Sequence, residues 1–183
     1  MSSDLERRTR FEAIAEEVFE PLQRYLRRRT DAESANDALS DVMMVIWRRI
    51  EDVPSDAVLP WAYGVAGRVL ANQRRSDSRH LKLVDRLQSE PRIDVVPDHA
   101  DAGPDPDLET ALELLSPDDR DYLRLWAWEG LEPREIATVK GVSANAAALR
   151  LSRARSKLAK HLERQDRLRP GHKRLKAHRR TDD

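Results

Sequence analysis

The chain contains no cysteine among its 183 residues. That excludes disulfides, thiolate nucleophiles and cysteine-bearing metal sites. Long hydrophobic runs are also missing. The longest, Val42 to Trp47, falls far short of the roughly 20 residues that a membrane helix needs. Met1 to Arg10 is charged and has no apolar core, so no secretory signal is expected there. Glycine is scarce, at six residues, and none of it forms a phosphate-cradling loop or a nucleophile elbow. The histidines, His80, His99, His161, His172 and His178, stand without a partner at metal-ligand spacing. Strand-like alternation and internal repeats are absent. Together these absences predict an all-α cytoplasmic protein that is not an enzyme, holds no metal or cofactor and does not insert into a membrane.

Charge is plentiful but segregated. Lysine plus arginine and aspartate plus glutamate each number 33, so the net charge is zero. Between Glu90 and Asp119, ten acids face only Arg92. From Arg150 to Arg180, thirteen bases face only Glu163 and Asp166. Such asymmetry says more about partners than the sum does. The acidic stretch from Ser89 to Leu108 also holds Pro91, Pro97, Gly103, Pro104 and Pro106. That composition does not build a core and reads as an extended linker. Residues 165–183 read as a basic, disordered tail suited to nonspecific phosphate contacts.

Apolar residues on either side of the linker recur at three- and four-residue steps. Phe11, Ile14, Ala15, Val18, Phe19, Leu22, Tyr25 and Leu26 form one stripe, and Pro21 predicts a kink or break within it. Asp31 is an N-cap for a second helix to about Ile50, with Ala35, Ala38, Val42, Val45 and Ile46 inward. Trp47 is assigned to the core. A third helix begins near Pro60 and carries Trp61, Val65, Val69 and Leu70, ending in the polar stretch Gln73 to Arg79. Gly64 and Gly67 each cost about 1 kcal/mol relative to alanine in a helix interior. A close approach of backbone or of a nucleic-acid strand, or drift on an exposed face, would account for them.

After the linker, Ser116-Pro117-Asp118-Asp119 is a helix start with a capping serine, a proline in the first turn and acids at the positive helix end. Pro133 opens the next helix and Gly141 stops it in a tight turn. Ser143 caps the last helix, whose buried stripe is Ala147, Leu151, Ala154 and Leu158. Its outward face then presents Asn145, Ala146, Leu149, Arg150 and Arg153. Helix, tight turn and basic helix are the layout of a module that inserts a helix into the major groove. Asparagine suits adenine there, and arginine suits guanine or phosphate.

These motifs resemble a known family. Leu115-Ser116-Pro117, Glu129-Gly130-Leu131, Glu135-Ile136-Ala137, Gly141-Val142 and Arg150-Leu151-Ser152-Arg153-Ala154-Arg155 are similar to the C-terminal domain of sigma factors of the sigma-70 family, in the two-domain extracytoplasmic-function (ECF) class. Upstream, Asp37, Asp41 and Trp47 lie where that family has an acidic amphipathic helix. Leu59-Pro60-Trp61-Ala62-Tyr63-Gly64-Val65-Ala66 resembles its tryptophan-bearing signature, and Asn72, Arg74 and Arg75 match its basic helix. The resemblance implies that Asp37, Ser40 and Asp41 dock on core RNA polymerase. It implies that Arg68, Asn72, Arg74 and Arg75 bind the melted minus-ten element of promoter DNA. Ser143, Asn145, Ala146, Arg150 and Arg153 would bind the minus-thirty-five element. An anti-sigma factor is an implied partner. The implied organisation is 1–88 for polymerase docking and the minus-ten element, 89–108 as linker, 109–164 as the helix-turn-helix domain, and 165–183 as tail. Ala148, Leu149 and Gly67 depart from the family's usual polar or basic residues. The alternative is a helix-turn-helix regulator that binds DNA without polymerase, and a charge reversal at Asp41 separates the two.

Overall fold

In the computed structural model, residues 4–85 and 106–168 are described. They form seven α-helices and one short 3-10 turn, with no strand among them. The expected all-α class is observed. The acidic stretch between Asp85 and Pro106 and most of the basic tail lie outside the described residues.

The first unit is α1 (Asp4–Arg27), α2 (Ala32–Arg48), a 3-10 turn (Ile50–Asp52) and α3 (Val58–Asp85). Its core takes Val18, Leu22 and Leu26 from α1, Ala38, Val42 and Ile46 from α2, and Ala62, Ala66 and Leu70 from α3. Asp31 caps α2 as expected, its Oδ1 accepting the Ser34 N–H at 2.9 Å. That hydrogen bond holds the Asp31 carboxyl below the usual carboxylate range.

The second unit is α4 (Pro106–Glu113), α5 (Pro117–Ala127), α6 (Pro133–Lys140) and α7 (Ala144–Leu168). Ser116 caps α5, its Oγ accepting the Asp119 N–H at 3.2 Å. Glu135 turns back to accept the Glu132 N–H at 2.7 Å, which fixes the start of α6. Leu115, Tyr122, Leu125, Leu131, Ile136, Ala147, Leu151 and Ala154 are buried. These side chains and those of the first unit form one continuous cluster, because α3 lies against α6.

Several expectations are corrected. Pro21 does not break α1, which runs through it from Asp4 to Arg27. An interior proline costs about 3 kcal/mol. Val18, Leu22, Tyr25 and Leu26, buried on both sides of it, offset that cost. Phe19 and Trp47 are not core; they are 48% and 40% exposed. Each follows a fully buried residue, Val18 or Ile46, and one residue further along a helix is about 100° around it. Helix α3 does not stop in the polar stretch Gln73 to Arg79; it continues to Asp85. No proline or glycine interrupts it there. Helix α4 begins inside the segment read as linker, and α7 runs to Leu168, inside the segment read as tail.

Candidate polymerase and nucleic-acid faces

The helix-turn-helix is set by backbone chemistry. Gly141 ends α6 with φ +64°, a left-handed conformation that glycine takes without strain. The Val142 N–H donates to the Ala137 carbonyl at 3.1 Å, closing the turn. Ser143 Oγ accepts the Ala146 N–H at 3.2 Å and starts α7. Ala147, Leu151 and Ala154 then face the core, with Leu158 half-buried. Ser143, Asn145, Leu149, Arg150 and Arg153 are exposed together on the opposite side, and Ala146 is half-buried.

Acids in and after the first turn of α5 hold this helix pair in place. Arg150 Nη1 lies 3.4 Å from Asp118 Oδ2. Lys157 Nζ donates to Asp119, and Lys140 Nζ donates to both Asp118 and Asp121. The Lys157 hydrogen bond holds the Asp119 carboxyl below the usual carboxylate range, against the upward pull of its slight burial. Burial pulls the Lys140 ammonium down, but Asp121 and Asp118 outweigh it and leave it raised. Arg150 is therefore partly neutralised when no DNA is present.

On α3, Arg68, Asn72, Arg74 and Arg75 are all exposed. Arg75 Nη2 donates to Asn72 Oδ1 at 2.6 Å, and Arg74 Nη2 donates to the Arg29 carbonyl at 3.2 Å. Of the two nearby aromatics, Trp61 is half-buried with the Arg49 guanidinium 5.7 Å from its ring centre. Tyr63 is buried, 4.9 Å from the Tyr25 ring centre, and does not offer a free face.

On α2, Asp37, Ser40 and Asp41 are exposed on one face. Ser40 Oγ donates back to the Asn36 carbonyl at 3.1 Å. The same helical face continues through Met44 and Trp47, exposed at 49% and 40%. Trp47 is held by the edge of Phe11, with ring centres 5.3 Å apart, and by Arg7 at 5.1 Å. Acidic and apolar halves thus form one continuous strip. Sequence reading missed the apolar half because it placed Trp47 inside, although steps of three and four from Asp37 lead to Met44 and on to Trp47.

A further cluster was missed entirely. At the end of α1, Arg28 and Arg29 both pair with Glu129, which follows α5. Arg29 Nη1 donates at 2.9 Å, and the Glu129 side chain is 1% exposed. Arg29 also stacks on the Tyr25 ring at 3.6 Å. About a hundred residues separate these partners in sequence, so no local pattern announces them. Burial first, then the nearby Glu129 charge, pushes the Tyr63 phenol up to about 12. Burial likewise raises Tyr25. A raised phenol favours folding fully below its ordinary value of 10, and that contribution is lost as pH climbs toward about 12. In an absorbance titration of phenolate, the Tyr63 signal should therefore appear near pH 12 and coincide with loss of helix. A Tyr63→Phe chain lacking no signal in that range would contradict this.

Among the described residues, no group of His, Asp and Glu is placed to hold a metal ion. Likewise no helix is long and apolar enough to cross a membrane.

A helix-turn-helix unit packed on a three-helix unit, the latter with an acidic and apolar strip, defines a two-unit helical DNA-binding protein. Residues 106–158 match the family model for sigma-70, region 4. The chain is 33% identical over 129 residues to the RNA polymerase sigma factor CarQ of Myxococcus xanthus, covering 68% of this chain and 72% of that one. The fold is similar to RpoE in its complex with the anti-sigma factor NepR from Bartonella quintana. That match has a TM-score of 0.61 and 21% identity, and covers 84% of this chain and 96% of the other. It is also similar to the PhyRSL–NepR complex from Sphingomonas sp. Fr1, with a TM-score of 0.57 and 17% identity over 91% and 98% of the two chains. The chain belongs to the RNA polymerase sigma factors of the sigma-70 family, in the ECF class. It is a transcription initiation factor that works with core RNA polymerase on promoter DNA, and the stand-alone regulator reading is not favoured.

Proposed function

We propose that the exposed α2 strip of Asp37, Ser40 and Asp41, extended by Met44 and Trp47, docks on core RNA polymerase. The observation that carries this reading is that these side chains share one solvated helix face, acidic at one end and apolar at the other. Buried aromatic anchors with a charged rim are how compact interfaces reach useful affinity. Arg68, Asn72, Arg74 and Arg75 on α3 bind the minus-ten element as single strand, where basic groups track phosphates. Because Tyr63 is buried, base capture there relies on pocket contacts and on Trp61. Ser143, Asn145, Ala146, Arg150 and Arg153 enter the major groove of the minus-thirty-five element. Polymerase performs the chemistry, and the sigma factor supplies specificity and helps melting, in the cytoplasm. The functional division is 1–88, linker 89–108, 109–164 and tail 165–183, with α4 overlapping the linker's end. The fold neighbours were both solved with NepR, and an anti-sigma factor is the corresponding partner proposed here.

The test is transcription in vitro by purified bacterial core polymerase on genomic upstream fragments, with and without this protein. Discrete transcripts that depend on it, sharing a two-part consensus, are expected. Specific protection of fragments by the protein alone, with no dependent transcript, would overturn the docking assignment.

A further inference from the structure

Several bases of α7 are already engaged by the helix behind it. Arg150 Nη1 lies 3.4 Å from Asp118 Oδ2, and the Arg150 guanidinium carbon is 6.0 Å from the centre of the Tyr122 ring. Lys157 Nζ donates to Asp119. Arg155 stacks over Trp126, 4.7 Å from its ring centre. Asp118, Asp119, Tyr122 and Trp126 all belong to α5. These contacts draw basic charge to the flank of α7 that faces α5. The outward ridge is then Asn145, Leu149 and Arg153, which follow one another at four-residue steps.

Leu149 stands in the middle of that ridge, 49% exposed. Its neighbours at three and four residues are Asn145, Ala146, Ser152 and Arg153, and it lies outside the chain's hydrophobic cluster. Between Asn145 and Arg150 the helix offers only alanines and this leucine. An uncovered leucine is thus placed where a recognition helix meets base edges.

We propose that Leu149 packs on the C5-methyl group of a thymine in the minus-thirty-five element and is a specificity-determining residue for that base. The inference rests on the minus-thirty-five reading above and names one base within it. In the major groove only thymine carries an apolar group on its edge, whereas adenine, cytosine and guanine present donors and acceptors there. A leucine pressed against those edges removes them from water and gives no hydrogen bond in return, which is unfavourable. Four helical residues rise about 6 Å, close to two base steps of about 3.4 Å. Asn145 suits adenine, so the thymine is expected within about two base pairs of an adenine. Arg153 lies a similar distance further on, over guanine or phosphate.

The test uses holoenzyme formed from core polymerase and the full chain. Selection from random duplexes gives the upstream consensus. Each thymine in it is then replaced by deoxyuridine, which deletes only the methyl group, and binding is compared by competition. For the parent, replacement at the thymine under Leu149 should weaken binding about fourfold, the worth of one buried methyl-sized group. Leu149→Ala should erase that penalty and leave the response at other thymines as it was. Leu114→Ala removes a leucine that is 61% exposed outside α7, and should keep the penalty. Because Leu149 is exposed, Leu149→Ala should retain the parent helix content by circular dichroism. A consensus without thymine, a parent indifferent to uracil at every position, or a penalty that persists in Leu149→Ala overturns the role of Leu149. In each of those cases the upstream element is still bound and the minus-thirty-five reading stands. Selection of no upstream element at all overturns that reading and this one together.

Discussion

Asp41→Arg is expected to abolish polymerase-dependent transcription while leaving the helical fold unchanged. Asp41 is exposed on α2, between Asp37 one turn before it and Met44 almost one turn after. The inward face of the same helix, Ala38, Val42 and Ile46, is fully buried and untouched by the change. Folding therefore has little to lose, and surface substitutions of this kind usually shift stability by under about 0.5 kcal/mol. Docking has much to lose. Placing a like charge against a complementary surface costs several kcal/mol, which is at least about a hundredfold in affinity. Asp41→Asn should give a smaller loss, because it removes the attraction without adding repulsion. Met44→Ala should weaken binding through its apolar share, with no change in salt dependence. Fluorescence anisotropy of the labelled chain titrated with core polymerase measures all three. Affinity for Asp41→Arg within about threefold of the parent would place the polymerase surface elsewhere. If binding survives and transcription is still lost, α2 acts after docking.

Ile136→Ala is expected to remove minus-thirty-five binding by unfolding the helix-turn-helix. Ile136 is fully buried in α6, at the junction with α7 and the neighbouring α3. Truncating a buried isoleucine to alanine costs about 2–5 kcal/mol, depending on how far the site collapses. A unit of this size has only a few kcal/mol in total, because small domains bury a smaller share of their surface. The loss should lower the melting temperature of the C-terminal unit by roughly 10 °C or more. The α1–α3 unit has its own buried set, Val18, Leu22, Val42, Ile46 and Ala66, but shares one continuous cluster with α6 through α3, so its melting should fall by less and not stay at the parent temperature. Thermal circular dichroism with footprinting on a promoter duplex reads both effects. A fall under about 3 °C with intact footprints would show that α6 is not needed to aim α7.

The contrast between these two sites reflects where each was legible. Asp37, Ser40 and Asp41 were found through family resemblance, and the structure adds Met44 and Trp47 to their face. Ile136 was visible as part of Glu135-Ile136-Ala137, and its burial follows from helical periodicity. The helix-turn-helix was legible because turn chemistry is local. Gly141 requires its left-handed backbone, and Ser143 caps whatever helix follows it. Arg150 was read as an outward-facing base for guanine or phosphate, and the structure adds Asp118 as its partner, 32 residues away on another helix. No periodicity could place that carboxylate there, because the pairing depends on how α5 packs against α7.

Sequence alone determined where α2, α5 and α7 begin, with their caps at Asp31, Ser116 and Ser143, and the sharp turn at Gly141, since each depends on neighbours within a few residues. It also determined the absence of cysteine chemistry and the segregation of charge. Tertiary structure alone decided that α1 continues through Pro21, that Phe19 and Trp47 remain in water, and that Gly64 meets Val139. It alone brought Glu129 to Arg28 and Arg29. These outcomes are settled by which surfaces meet after the helices form, and burial of one helix face against another outweighs local preference wherever the two conflict.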